Sequence, residues 1–249
     1  MPSSPPGSTM ATPSEVLALA RQEFGEIARG SERFAVLCRS SRLHAEQAAQ
    51  LRAVRARLTE WKKVLIAAAV EDGANELLAY EFMLDALANE LEMYVAFKRD
   101  DAGAAWTHLV NAQMAASHAV KAHKAAAHLE QGYVPRLHVI EQLMFPKLMF
   151  MSIGFIAEHS ECSICGEIYG ECDHVKGRPY MGELCACIIK KSKLLEVSLV
   201  EEPANKHCRI LSVTDSDGTA KDPLSLEPVE PMEPGQARAI IGTANTLNG

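Results

Sequence analysis

A chain of 249 residues has room for one large domain or two modest ones, and a hydrophobic share of 48% is that of a globular protein. The formal charge of -7 and pI near 5.7 give no broad electrostatic reason to approach phosphate backbones or anionic lipid, so nucleic acid is not the first partner to expect. No apolar run reaches the ~20 residues of a membrane span, the start MPSSPPGSTM lacks the regions of a signal peptide, and seven cysteines clustered at metal spacing fit a reducing cytoplasm better than a disulfide framework.

Residues 1 to 11 are rich in Pro, Ser and Gly and are expected to be disordered. Thr12, Pro13 and Glu15 form a capping box that opens a first helix, with Val16, Ala20, Phe24 and Ile27 on one face and Gly30 as its stop. Ser31 is expected to cap a second helix, whose later half repeats Leu51, Val54, Leu58, Trp61, Leu65 and Ala68 at steps of three and four. Asp72 and Gly73 read as a break. A third helix answers with Leu77, Tyr80, Leu84, Leu87, Leu91 and Tyr94, so the two should pair antiparallel along a buried seam. After the turn at 98–101, Trp106, Leu109, Val110, Met114 and Val120 carry a fourth helix, ended by Gly132 and Pro135. Residues 12 to 131 thus read as an all-helical bundle. Arg39 and His44 have the spacing of an Arg-to-His motif seen in some all-helical ribonucleases, but the heptad stepped back from Leu51 puts His44 on the seam, as a buried helix histidine. His108, His118, His123 and His128 are not spaced to share a helix face and receive no role.

After Pro135 the texture turns to β-branched and aromatic runs: LHVIEQL, FPKLMFMSIGFIAEH, ELCACII and LLEVSLV, all read as strands. The fold class is therefore α+β, with the bundle followed by a small β domain over 137–210 and an acidic, Pro-rich tail over 211–249. Inside the β domain lie Cys162-x2-Cys165 and Cys172-x-His174, four ligands within thirteen residues. A C-x2-C turn aims two thiolates at one point and a close second pair can complete a tetrahedron, so a structural Zn2+ is expected. Glu161, Glu167, Glu171 and Asp173 surround these cysteines with charge, which argues against four free thiols packed as small hydrophobes. Cys185 and Cys187 could approach the metal or line a core, and His207 with Cys208 could substitute for a ligand. Lys176, Arg178, Lys190, Lys191 and Lys193 form a local basic patch, read as a solvated face with nucleic-acid binding as the alternative.

Met151-Ser152-Ile153-Gly154-Phe155, followed by Leu195-Glu196-Val197-Ser198-Leu199-Val200 and Pro203-Ala204-Asn205, resembles the C-terminal half of the capsid-maturation (prohead) proteases of tailed phages. The resemblance covers residues 137 to 210 and implies a small β-barrel, here a half-barrel interrupted by the zinc insertion. It makes Ser152 the nucleophile and Glu196 an orienting acid. The family places its histidine upstream of the serine, where this chain has an alanine-rich helix. A serine hydroxyl needs a general base, and the histidines near it in sequence are His138 and His159. The expected function is a zinc-stabilised binding or assembly protein with a protein partner or a second copy. The resemblance adds a phage or antiphage context, and a serine peptidase is the alternative.

Overall fold

The computed structural model describes residues 12–230; the expectation for residues 1 to 11 and that for the tail beyond residue 230 lie outside them. The helices are α1 (Pro13–Glu32), α2 (Ser41–Ala67), α3 (Glu71–Phe97), α4 (Ala102–Ala122), a 3-10 helix (Lys124–Glu130) and α5 (Tyr133–Met144). The strands are β1 (Phe150–Cys162), β2 (Pro179–Tyr180), β3 (Glu183–Leu184), β4 (Cys187–Val200), β5 (Val213–Thr214) and β6 (Ala220–Lys221). No helix among the described residues is long and apolar enough to cross a membrane.

The capping box forms as expected: Glu15 N–H donates to Thr12 Oγ1 at 3.3 Å and Thr12 N–H donates to Glu15 Oε2 at 2.7 Å. Gly30 does not stop the helix, however, and Ser31 is no cap. Ser31 lies in the last turn of α1, its hydroxyl donating to Ile27 O at 2.7 Å and accepting from Gln47 Nε2 at 2.8 Å. The cap of α2 is Ser40, which accepts from Leu43 N–H. The α2/α3 seam is buried as the heptads require, with Leu51, Leu58, Leu65, Leu77, Leu84 and Leu91 sealed from solvent. The break between them falls at Ala69, in the left-handed region at φ 55, and Asp72 and Gly73 sit in the first turn of α3. A Cβ on Gly73 would meet Leu65 Cδ1 at 3.2 Å and Val70 Cγ1 at 3.3 Å, so this glycine permits a close helix approach where a turn was expected.

The segment LHVIEQL, expected as a strand, is the body of α5, and α4 ends at Ala122 because His123 is extended (φ -162). Pro135 falls in the first turn of α5, where an N–H has no helical acceptor anyway. Tertiary contacts decide the helix: Leu137 is fully buried, and the adjoining Arg136 reaches the buried Glu90 on α3 through two bonds of 2.7 and 2.6 Å. Similar pairs surround α3. Arg21 of α1 holds Glu76, while Lys62 and Arg55 of α2 hold Glu81 and Asp85, and Arg52 holds Glu92. The basic residues between the seam positions of α2 thus neutralise the buried Glu81 and the half-buried Asp85 and Glu92 of α3.

His44 is 0% exposed. Its Nε2 lies 2.9 Å from Phe34 O and 3.1 Å from Val36 O, so that nitrogen carries the proton and donates, while Nδ1 accepts from Lys98 Nζ at 3.2 Å. Burial first, and then the Lys98 charge, hold its pKa below the ordinary 6.5. The unfolded histidine takes a proton that the folded one refuses, so this contribution to stability is full above about pH 6.5 and is lost as pH falls below it. His108, His118 and His207 are depressed by burial in the same direction. The thermal midpoint, followed by circular dichroism, should therefore drop as pH is lowered through about 6. A flat midpoint would contradict a neutral, buried His44.

In place of the expected half-barrel, the described strands form three separate two-stranded antiparallel sheets, β1 with β4, β2 with β3 and β5 with β6. The chain between β1 and β4 is spent on the cysteine segment, so these strands pair with each other as one long ribbon. The start of the β region also moves, from residue 137 to Phe150, and residues 213–221, expected as part of the tail, carry the β5/β6 hairpin. Arg209 secures that hairpin by bonds of 3.0 and 3.3 Å to the two carboxylate oxygens of Asp222.

The ribbon is tied to the bundle at its two ends. At its base Phe150 is buried beside Trp106, whose ring edge meets Phe145 and whose Nε1 donates to Lys206 O at 3.0 Å. At the far end the turn between β2 and β3 sits on the start of α3, where Gly182 N–H donates to Asn75 Oδ1 at 2.7 Å. Gly182 has φ +81, and a Cβ there would come within 3.0 Å of Lys62 Cδ. Between these ends most of the ribbon is exposed on both faces.

Candidate metal centre

The centre begins where β1 ends. Cys162 closes the strand, its N–H donating to Glu167 O at 2.8 Å while its carbonyl accepts from Gly166 N–H at 2.9 Å. Gly166 occupies the left-handed region at φ 76, which lets the chain reverse directly after Cys165. This turn aims the N–H groups of Ile164 and Cys165 at Cys162 Sγ. Burial pushes the Cys162 thiol up, but those N–H groups and the neighbouring Cys185 and Cys165 thiols pull it down further, to about 6. The sulfur is prepared to be a thiolate at neutral pH.

Gly170, at φ 102, helps return the chain, which then presents Cys172 and His174 to the same point. Tyr180 braces this return: its ring meets the His174 imidazole edge-on at 4.7 Å, and its hydroxyl accepts from Val175 N–H at 2.9 Å. Tyr169 likewise accepts from Lys176 N–H at 3.1 Å. The ligand atoms of Cys162, Cys165, Cys172 and His174 all lie within 4.8 Å of one another. A zinc tetrahedron with Zn–S bonds of ~2.3 Å has edges of about 3.8 Å, so a contraction of about 1 Å closes the cluster on an ion. His174 Nδ1 is buried with no hydrogen-bond partner, a costly state for a ring nitrogen that a metal on the imidazole would relieve. Three thiol groups and one imidazole suit zinc.

Cys185, weighed as a further ligand, is 2% exposed, with its Sγ 3.7 Å from Cys162 Sγ. Burial, followed by its proximity to Cys162, pushes its thiol up to about 11. Its sulfur packs against that of Cys162 in an S–H contact, beside the four residues whose ligand atoms lie within 4.8 Å of one another. Cys187 faces Cys162 in the ladder as the first residue of β4. Cys208 does not join the site: its carbonyl accepts from Met151 N–H at the base of the ribbon, eleven residues or about 36 Å of strand from Cys162. His207 shares that end.

The proposed hydrolytic residues do not assemble. Ser152 pairs with Ser198 and Gly154 with Glu196 in the ladder, and the Glu196 side chain lies over Gly154, where a Cβ would come within 2.8 Å of Glu196 Cγ. His159 lies seven residues along the same strand from Ser152, about 23 Å away, and its Nε2 pairs with Glu161 at 3.2 Å. His138 sits on α5 with Nδ1 donating to Val134 O at 2.9 Å. Among the described residues no hydrogen bond joins Ser152 to a histidine. In the basic patch, Lys190 and Lys191 are paired with Glu161 and Glu158. Tyr169 and Tyr180 were not singled out from the sequence. Their signal was their place in a Gly-punctuated stretch with few other large apolar residues.

The chain matches no protein-family model, no curated protein and no solved structure.

Proposed function

We propose that this protein is a zinc-stabilised binding or assembly protein, in which a helical bundle presents a metal-clamped β ribbon to a protein partner. The observation that carries the reading is the convergence of Cys162, Cys165, Cys172 and His174 on one point. Four protein ligands fill the coordination shell of zinc and leave no position for a reactive water, so the metal is structural. The likeness of the β segment to the capsid-maturation proteases extends the proposal to a relative of that family that does not cleave peptides, working in phage biology or in defence against phage. The non-catalytic reading is favoured over the serine peptidase by the separation of Ser152 from His159 and by the engagement of His138 within its own helix. It is favoured over a nucleic-acid module by the pairing of Lys190 and Lys191 with carboxylates of β1.

Elemental analysis of the purified protein should find about one zinc per chain. A fluorophosphonate probe should label Ser152 no faster than background, and Ser152→Ala should change stability by less than about 0.5 kcal/mol. Strong labelling that vanishes in the alanine variant would replace this reading with the peptidase.

A further inference from the structure

The outer edge of β1, opposite β4, is covered at both ends and open between them. At the base, Met151 N–H donates to Cys208 O at 2.8 Å and Met149 O accepts from Ile210 N–H at 3.0 Å, laying residues 208–210 antiparallel beside Phe150. At the metal end, Cys162 N–H donates to Glu167 O at 2.8 Å and Ser160 O accepts from Tyr169 N–H at 2.9 Å, laying residues 167–169 antiparallel beside Glu161. Between these two covers no segment among the described residues pairs with the edge. Strand alternation from Met151 brings the N–H and C=O groups of Ile153, Phe155 and Ala157 to it. The register shift between Ala157 and His159 then reverses the parity, and for that reason Ser160 and Cys162 face the second cover.

The side chains around this opening are sorted. The ladder puts Ile153, Phe155, Leu194, Val197 and Leu199 on one face, and each is at least 36% exposed. Ser152, Gly154, Glu196 and Ser198 occupy the other, with Ile156 and Lys193 at its far end. A two-stranded ribbon with a bare apolar face is marginal in water, and a third strand is what makes such a sheet self-sufficient. The two edges also differ in protection. Strand β4 carries Lys190, Lys191 and Lys193, charges that discourage pairing, whereas residues 150–157 of β1 contain no charge and no proline.

We propose that this opening is a slot for an extended segment of a partner protein, which adds as a third strand between the two covers. The opening from Met151 to Ser160 spans about 30 Å, of which the covers leave room for roughly six residues. The occupant runs antiparallel to β1, in line with both covers, and carries apolar side chains at alternate positions to extend the face of Ile153, Phe155 and Val197. A second copy of β1 fits poorly, because in antiparallel register its own covers would occupy the space needed by residues 158–162 of the first. The slot deepens the binding reading above and rests on it, since residues 167–169 lie between the ligands Cys165 and Cys172.

The test uses the full chain and a fluorescein-labelled hexapeptide, acetyl-Lys-Val-Thr-Val-Thr-Val-amide, followed by anisotropy. Saturable binding is expected at a dissociation constant below about 1 mM. N-methylation of the peptide backbone at one set of alternate residues should weaken it at least about tenfold, and methylation of the other set should not. Phe155→Pro removes an N–H from the outer edge without touching the bonds to β4, so it should abolish binding while zinc content is kept. Absence of saturable binding, equal loss with both methylation patterns, or undiminished binding to Phe155→Pro would overturn the slot. Dimerisation of the protein that Phe155→Pro abolishes would assign the edge to a second copy. Tighter binding of a synthetic peptide of residues 231–249 than of the probe would assign it to the chain's own tail. Zinc is measured on the same preparation: a protein that holds zinc but binds no peptide sinks the slot alone, and a metal-free protein that binds peptide sinks the metal reading alone.

Discussion

Stripping zinc with a chelator, or replacing Cys165 by Ser, should unfold the segment from Cys162 to Cys187 and release the far end of the ribbon, while the bundle keeps its helical circular dichroism. Among the described residues between Phe150 and Ala220, the buried apolar side chains are those of Cys162 and Cys185. Hydrophobic burial at ~25 cal/mol per Å2 therefore yields little here. A structural zinc supplies ~10 to 16 kcal/mol of apparent binding free energy, much of it folding free energy where the unfolded chain holds no preformed site. The bundle has its own leucine seam and buried ion pairs and needs none of this. Hydrogen exchange should show the loss at Ser163, Tyr169 and Gly182, whose N–H groups are bonded in the native turns. Cys185→Ala should keep the metal, since the four ligand atoms that lie within 4.8 Å of one another do not include its sulfur. Equal thermal stability with and without metal would reduce these cysteines to small core residues.

The second large effect is expected from Arg136→Ala. The Glu90 side chain is 0% exposed and is held by both terminal nitrogens of Arg136 and by the Tyr94 hydroxyl at 3.0 Å. Removing the guanidinium leaves a buried carboxylate with the tyrosine as its remaining donor in this network. Breaking a buried pair costs about 3 to 5 kcal/mol, and because Arg136 keeps 39% of its side-chain surface in solvent the lower end, about 3 kcal/mol, is expected. Arg42→Ala removes an exposed pair with Glu46 one turn along α2 and should cost less than about 0.5 kcal/mol. Urea unfolding would measure both as midpoint shifts at constant slope. A loss below about 1 kcal/mol for Arg136→Ala would mean that water reaches Glu90. Adding Glu90→Leu to an Arg136→Met variant should recover much of the loss, since an apolar pair needs no counter-charge.

What could be read from the chain in order were features set by neighbours. Thr12 and Glu15 cap α1 because they lie three residues apart. The α2/α3 seam repeats at a spacing that only a helix brings to one side. Cys162, Cys165, Cys172 and His174 were readable because a metal site with closely spaced ligands is written in local spacing. Where the reading failed, long-range contacts had overridden local preference. Residues 137–143 have the composition of a strand, yet they are helical where Leu137 enters the core and the adjoining Arg136 reaches Glu90. Gly73 has the look of a turn residue, but its missing side chain admits Leu65 and Val70.

Sequence by itself determined the pieces: a helical half with one long buried seam, a cysteine-rich segment spaced for a tetrahedral metal, and two alternating strands, each encoded within a few turns or a few residues. Tertiary structure alone decided how they are joined. Pairing β1 only with β4 replaced the expected barrel with a ribbon, and the reach of that ribbon separated Ser152 from His159 and Cys208 from the Cys162 cluster. Docking Gly182 on Asn75 fixed the far end. The physical reason is that backbone geometry encodes spacing along one element, whereas which elements meet depends on the burial, charge pairing and hydrogen bonds that only the assembled chain brings into contact.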